Sequence, residues 1–149
     1  MKKKLYIAYG SNLNKKQMAC RCPSAKPVAS GLIDGWKLVF RGIRNSYFCS
    51  IIPSKGDSVP VGIWEITEAD ERSLDIYEGY PVFYDKKTVR IKASGGVREA
   101  LVYIMQEPSR PGAPFGSYVE TCRTGYKDFG LPMDAWEEAL EYNRQELKA

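Results

Sequence analysis

The chain contains no histidine among its 149 residues. That removes Ser-His-Asp and Cys-His catalysis, and it removes imidazole metal sites. Any acid–base chemistry falls to carboxylates, lysine, tyrosine, cysteine or the substrate itself. No apolar run approaches the length needed to span a bilayer. Lys2-Lys3-Lys4 followed by Leu5-Tyr6-Ile7-Ala8 imitates the start of a signal peptide, but the apolar run is too short and ends in Gly-Ser-Asn without a cleavage site. The chain therefore reads as cytoplasmic, with no membrane association. There is no CxxC pair: of the four cysteines, Cys20 and Cys22 are one residue apart, and Cys49 and Cys122 stand alone. In a reducing compartment these read as free thiols, mostly buried. A strong charge excess is also missing. The net charge is +4, and Lys15, Lys16, Arg21, Arg41, Arg44, Lys86, Lys87 and Arg90 are scattered. Such scatter is a solvated surface and not a nucleic-acid interface, although a modest positive field favours an anionic substrate. Internal repeats and low-complexity segments are absent.

What is present is the composition of one ordinary globular domain over residues 1–149. Strand-like runs rich in β-branched and aromatic residues fall at Leu5–Tyr9, Trp36–Gly42, Tyr47–Ile52, Val61–Ile66, Phe83–Ile91 and Ala100–Met105. Ser94-Gly95-Gly96 predicts a hairpin between the last two. Asn14 predicts a cap for a short helix to about Cys20, closed by Pro23. Thr67-Glu68-Ala69-Asp70 resembles a capping box with Asp in place of Glu, opening a helix to about Tyr77 that stops near Gly79 and Pro81. Glu107 to Gly116 reads as a long loop. Tyr118, Cys122, Tyr126 and Phe129 then recur at helical spacing, and Gly130-Leu131-Pro132 separates that helix from one carrying Trp136, Ala139 and Leu140 on a face. Both stripes read as packing surfaces. The fold class is α+β, with one sheet that closes or nearly closes into a small barrel and so protects its edges.

Two short stretches carry chemistry. In "YIAYGSNL", Tyr6 to Leu13, a strand breaks into Gly10-Ser11-Asn12. This is either a plain turn or a cradle whose successive backbone N–H groups bind an anion, with Gly10 allowing close approach and Asn14 opening a helix behind it. It lacks the glycine spacing and Lys-Ser/Thr ending of a P-loop. In Tyr77-Glu78-Gly79-Tyr80-Pro81, Glu78 is either an exposed acid or a tuned one. Tyr77, Tyr80, Phe83 and Tyr84 would desolvate it, and a helix C-terminus disfavours an anion; both raise a carboxyl pKa towards the range that suits proton shuttling. Glu65, Glu68, Asp70, Glu71 and Asp75 lack that context. Tyr6, Tyr9, Tyr77, Tyr118 and Tyr126 are candidate hydroxyls for a polar pocket, or simply buried tyrosines.

Taken together, "YIAYGSNL", "VPVGIWEIT", "LDIYEGYPVFY" and "YVETCRTGYKDFGLP", in that order over nearly the whole chain, resemble the γ-glutamylcyclotransferase-like family, also called AIG2-like. The resemblance implies a small mixed β-barrel flanked by helices. It implies an intramolecular reaction in which the α-amine of a γ-glutamyl group attacks its own γ-carbonyl, giving 5-oxoproline and releasing the attached amine, without metal or cofactor. It implies Glu78 as the catalytic acid–base and Tyr9, Gly10, Ser11, Asn12 and Leu13 as the binding loop, with Tyr118 near the substrate. Whether the loop would hold the α-carboxylate or the oxyanion is left open. The resemblance gives Cys20-Arg21-Cys22-Pro23 no role. It implies a small-molecule γ-glutamyl partner and no obligate protein partner. Two other readings stand beside it: a cyclotransferase specialised for a biosynthetic γ-glutamyl-amine, and a non-catalytic small-molecule-binding domain of the same fold.

Overall fold

The structure is a computed structural model and describes residues 3–93, 96–106 and 109–149. The chain begins with β1 (Lys3–Ala8), a single 3-10 turn at Ser11–Leu13 and α1 (Lys15–Arg21). Two long strands follow, β2 (Lys26–Ile43) and β3 (Ser46–Thr67), and then α2 (Glu68–Glu78). After these come β4 (Tyr84–Ala93), β5 (Gly96–Met105), the two-residue β6 (Arg110–Pro111), α3 (Gly116–Asp128) and α4 (Met133–Lys148). The strands form one sheet in the order β4-β5-β1-β3-β2-β6. Among the described residues only β1 and β5 run parallel, with Tyr6 opposite Leu101; the other pairs are antiparallel.

The mixed sheet curls into a half-barrel flanked by the four helices, in keeping with the α+β barrel expected. The curl brings β4 back towards β2: a Cβ added at Gly31 would lie 3.3 Å from the Ile91 side chain and 3.5 Å from the Lys92 carbonyl. A continuous apolar core fills the inside, from Ile7, Met18, Phe40, Ile51, Ile63 and Val102 to Tyr126 and Trp136. The stripe expected on α3 and α4 is part of it, with Trp136 fully buried against Phe40 at 5.5 Å and Tyr126 at 5.3 Å between ring centroids. No helix among the described residues is long and apolar enough to cross a membrane.

Local signals translated directly into structure. The Asn14 side chain accepts from the Gln17 N–H and caps α1. The capping box of α2 is complete, with Thr67 Oγ1 accepting from the Asp70 N–H at 3.2 Å and Asp70 Oδ2 accepting from the Thr67 N–H at 3.0 Å. Gly79 ends the helix in the left-handed conformation, φ 67°, which glycine adopts without a Cβ clash.

The sheet departs from expectation in its second and third strands. Tyr47–Ile52 and Val61–Ile66 are parts of one strand, and Lys26–Gly35 joins Trp36–Gly42 in another. The two pair along nearly their whole length and close at Arg44-Asn45, both with positive φ. Near Gly35 and Gly56, both with positive φ, the register shifts between Asp34 and Trp36, and the hairpin bends there. Pro53, Gly56 and Pro60 fall between Tyr47–Ile52 and Val61–Ile66; such residues interrupt flat ladders, whereas a bulge accommodates them. β6 lies within the stretch expected to be irregular. β4 and β5 pair as expected; of the turn between them, Ser94 and Gly95 lie outside the described residues, as do Glu107 and Pro108 of the later loop.

Candidate active site

The end of β1 and the end of α2 open onto one cavity of about 250 Å³. Tyr9, Gly10, Ser11 and Asn12 line it from the first element, Tyr77 and Glu78 from the second. Phe48 and Cys49 of β3, Tyr84 of β4, Tyr103 of β5 and Tyr118 of α3 complete much of the wall. Residues 66 positions apart in sequence thus come within hydrogen-bonding range: Asn12 Nδ2 is 3.4 Å from Glu78 Oε1, and Ser11 Oγ is 3.1 Å from the Tyr77 hydroxyl.

The loop is held from behind. The N–H of Leu13 donates to the Gly10 carbonyl at 3.0 Å, closing the 3-10 turn. Trp64 Nε1, from β3, donates to the Asn12 carbonyl at 2.9 Å. Leu13 is the one member of the expected binding loop that does not line the cavity. Its side chain is fully buried, and a Cβ added at Gly62 or Gly125 would fall within 2.7 Å of it. Both glycines let β3 and α3 close on the turn, and Leu13 is the wedge between them. At Gly10 an added Cβ would sit 3.1 Å from both Cys49 Cβ and the Tyr118 hydroxyl, so the missing side chain lets β3 and α3 pack against the loop. Among the described residues no partner takes up the backbone N–H groups of Gly10, Ser11 and Asn12. The stretch is a tight turn, and Gly10, Ser11 and Asn12 lie on the cavity wall.

Glu78 is half-buried in the last turn of α2. Burial pushes its carboxyl up to about 7, and the Arg21 guanidinium opposes that rise. Tyr77, Phe83 and Tyr84 line the same cavity as Glu78. Tyr80 does not; its ring instead receives the Lys86 ammonium at 4.3 Å. The phenols of Tyr6, Tyr9 and Tyr84 are raised well above the usual tyrosine value, first by burial and also by the Glu78 charge. They are therefore neutral hydrogen-bonding groups. Tyr9 donates to the Tyr103 carbonyl at 2.6 Å and Tyr84 to the Cys49 carbonyl at 2.7 Å, while the Tyr118 hydroxyl accepts from the Cys49 N–H at 3.0 Å. These bonds fix the wall in place.

Of the five tyrosines singled out from the sequence, Tyr6, Tyr9, Tyr77 and Tyr118 reach the cavity and Tyr126 does not. Tyr126 is buried against Trp136 with its hydroxyl unpartnered. Phe48, Cys49 and Tyr103 were not foreseen. All three lie on strands whose partners could not be known from sequence.

Comparison with known proteins finds relatives of this chain and of its fold. The family described as "Gamma-glutamyl cyclotransferase, AIG2-like" matches residues 6–120. Human gamma-glutamylcyclotransferase is 27% identical, over 93% of this chain and 79% of its own length. The mouse protein of the same name is 29% identical, over 97% and 81%. A solved structure titled gamma-glutamyl cyclotransferase superposes with a TM-score of 0.82 at 27% identity, covering 93% of this chain and 86% of that one. YkqA from Bacillus subtilis shares the fold with a TM-score of 0.81 at 18% identity, covering 97% of this chain and 55% of its own.

Proposed function

The chain belongs to the gamma-glutamyl cyclotransferase, AIG2-like family, and from that footing we propose that it cyclises a γ-glutamyl amino acid or amine to 5-oxoproline, releasing the attached amine, with Glu78 as the single acid–base. One observation carries the reading. A carboxyl raised to about 7 and a row of unpartnered backbone donors share one cavity.

The chemistry follows from those two parts. The substrate's α-ammonium gives a proton to the Glu78 carboxylate. The freed amine attacks the γ-carbon, and the γ-oxygen takes up the electron pair of the carbonyl. Collapse of that intermediate breaks the bond between the γ-carbon and the leaving nitrogen, which takes the proton back from Glu78; the surplus proton on the ring nitrogen passes through the same carboxylate to the released amine, which departs as an ammonium. No water is consumed, and the carboxyl ends as it began. A group with a pKa near the working pH accepts and donates with comparable ease. Nucleophile and electrophile belong to one molecule, so curling the γ-glutamyl chain into a ring geometry is the main task of the cavity wall. Such orientation supplies ~7–11 kcal/mol in favourable systems. The N–H groups of Gly10, Ser11 and Asn12 are the donors for the substrate's negative charge. Tyr118, beside Gly10, walls the same end.

The test is incubation with a panel of γ-glutamyl amino acids and γ-glutamyl-amines, with detection of 5-oxoproline. Release from at least one compound, lost in Glu78→Gln, is the expected result. A folded protein that binds these compounds and releases nothing would be the non-catalytic domain instead.

A further inference from the structure

The stretch Cys20-Arg21-Cys22 finds an occupation at Arg21, which lies on the last turn of α1 behind the cavity wall and does not line it. Its guanidinium makes three hydrogen bonds. One nitrogen donates to Asn12 Oδ1 at 2.7 Å. The other donates to Gln17 Oε1 at 2.5 Å and to the Tyr77 hydroxyl at 2.8 Å. The guanidinium plane also lies over the Tyr77 ring, its carbon 3.7 Å from the centroid.

These partners form a pattern. Ser11 and Asn12 are neighbours in the loop, and Tyr77 and Glu78 are neighbours at the end of α2. Ser11 meets Tyr77, and Asn12 meets Glu78. Arg21 touches one member of each pair. Its bond to Asn12 has a directional consequence: Asn12 Oδ1 accepts from Arg21, so Nδ2 must face the opposite way, towards Tyr6 at 2.9 Å and Glu78 at 3.4 Å. An amide has one acceptor end and one donor end, and fixing the first aims the second. Gln17, one helical turn earlier and bonded to Arg21, holds the guanidinium in the required plane.

We propose that Arg21 is a positioning residue for the acid–base of the cavity: through Asn12 and Tyr77 it registers the Gly10–Asn12 loop against the end of α2 and aims the Asn12 amide at Glu78. The proposal rests on the cyclotransferase reading given above. It assigns the specific geometry of a planar fork, which lysine cannot reproduce, to a residue outside the cavity.

Arg21→Met and Arg21→Lys separate geometry from charge. The titratable groups around Glu78 are Arg21 from α1, Tyr6 and Tyr9 from β1 and its end, Cys49 from β3, Tyr84 from β4, Tyr103 from β5, Tyr118 from α3 and Tyr77 beside it. The shifted phenols stay neutral through the range in question, leaving Arg21 as the permanent charge. Both variants should lose kcat/KM by roughly a hundredfold, the scale of a small misplacement of reacting groups. The acid limb of the rate profile should move to higher pH in Arg21→Met and much less in Arg21→Lys. Wild-type turnover in either variant overturns the proposal. So does an Arg21→Met acid limb that stays where the wild-type limb lies. Titration of the Glu78 carboxyl carbon by NMR, in wild type and Arg21→Met, gives the same midpoint without turnover. It decides Arg21 even if no γ-glutamyl compound is cyclised, a result that would sink only the cyclotransferase reading. Should Arg21→Met not fold, Arg21→Lys carries the turnover test and the NMR titration against wild type.

Discussion

Glu71 and Glu78 stand two turns apart on one short helix and meet opposite fates. Glu71, in the first turn of α2, lies 2.6 Å from the Lys4 ammonium and 2.7 Å from that of Lys86. Burial pushes its carboxyl up, but the two lysines win and hold it below the usual value. Glu78, in the last turn, is raised to about 7 by burial, and Arg21 only moderates the rise. Their places on the helix reinforce the contrast, since an N-terminus favours an anion and a C-terminus does not. Two identical side chains on one helix therefore become an ion-paired anchor and, on the proposed reading, a proton carrier. Their neighbours make the difference: β1 and β4 bring ammonium groups to one, while a tyrosine-rich cavity wraps the other.

The sharpest way to break the comparison is to neutralise each acid in turn. Glu78→Gln should fold and lose turnover by roughly 10²–10⁴-fold, the range for removing a positioned acid–base group. Glu71→Gln should keep turnover close to wild type. Equal losses of 5-oxoproline release in the two variants would end the distinction. In the wild type, the acid limb of kcat/KM should fall near pH 7, because the amine cannot be deprotonated by a protonated Glu78. A limb near the unperturbed value of about 4.3 would remove the tuning from the account.

A second test uses stability. Glu78 has a folded pKa above its unfolded value, so the folded state holds the extra proton between about 4.5 and about 7. Stability then falls as pH rises through that window, by up to about 3 kcal/mol at about 1.4 kcal/mol per unit. Glu78→Gln should accordingly have the higher Tm at pH 8, with the gap closing below pH 5. Glu71 behaves in the reverse sense. Its contribution is present above the unfolded pKa and is lost as pH falls through the depressed one. Glu71→Gln should lower stability at pH 7 by about 1 kcal/mol, the scale of a part-exposed ion pair, and by nothing at low pH. Thermal melts of both variants across pH read the two signs directly. The smallest effect concerns salt. Lys4 is half-exposed, so raising ionic strength should shrink the Glu71→Gln difference and leave the Glu78→Gln difference nearly unchanged.

What the sequence disclosed follows the same division between local and assembled features. The Asn14 cap and the Thr67–Asp70 box each close within a few residues, and both formed as read. The pairing of β4 with β5 was legible from two strands and an intervening turn signal. The merger of Tyr47–Ile52 with Val61–Ile66 was not, because a bulged strand tolerates residues that normally end one. At the cavity, Gly10 and Glu78 could be singled out by local chemistry. Arg21 could not: nothing in Cys20-Arg21-Cys22 says that the next layer of the fold presents Asn12 and Tyr77 to it. Leu13 was assigned to the binding loop by its position in the motif, but its neighbours turn it into the core.

The bond from the Trp64 indole to the Asn12 carbonyl has a further consequence. It ties the loop at the cavity wall to a central strand of the sheet, so on the proposed reading the fold itself fixes the loop's shape before a substrate arrives. Ordering entropy is then spent during folding and not at the moment of association. On that reading, a substrate meets a loop already in place and the association step carries little of the ordering cost.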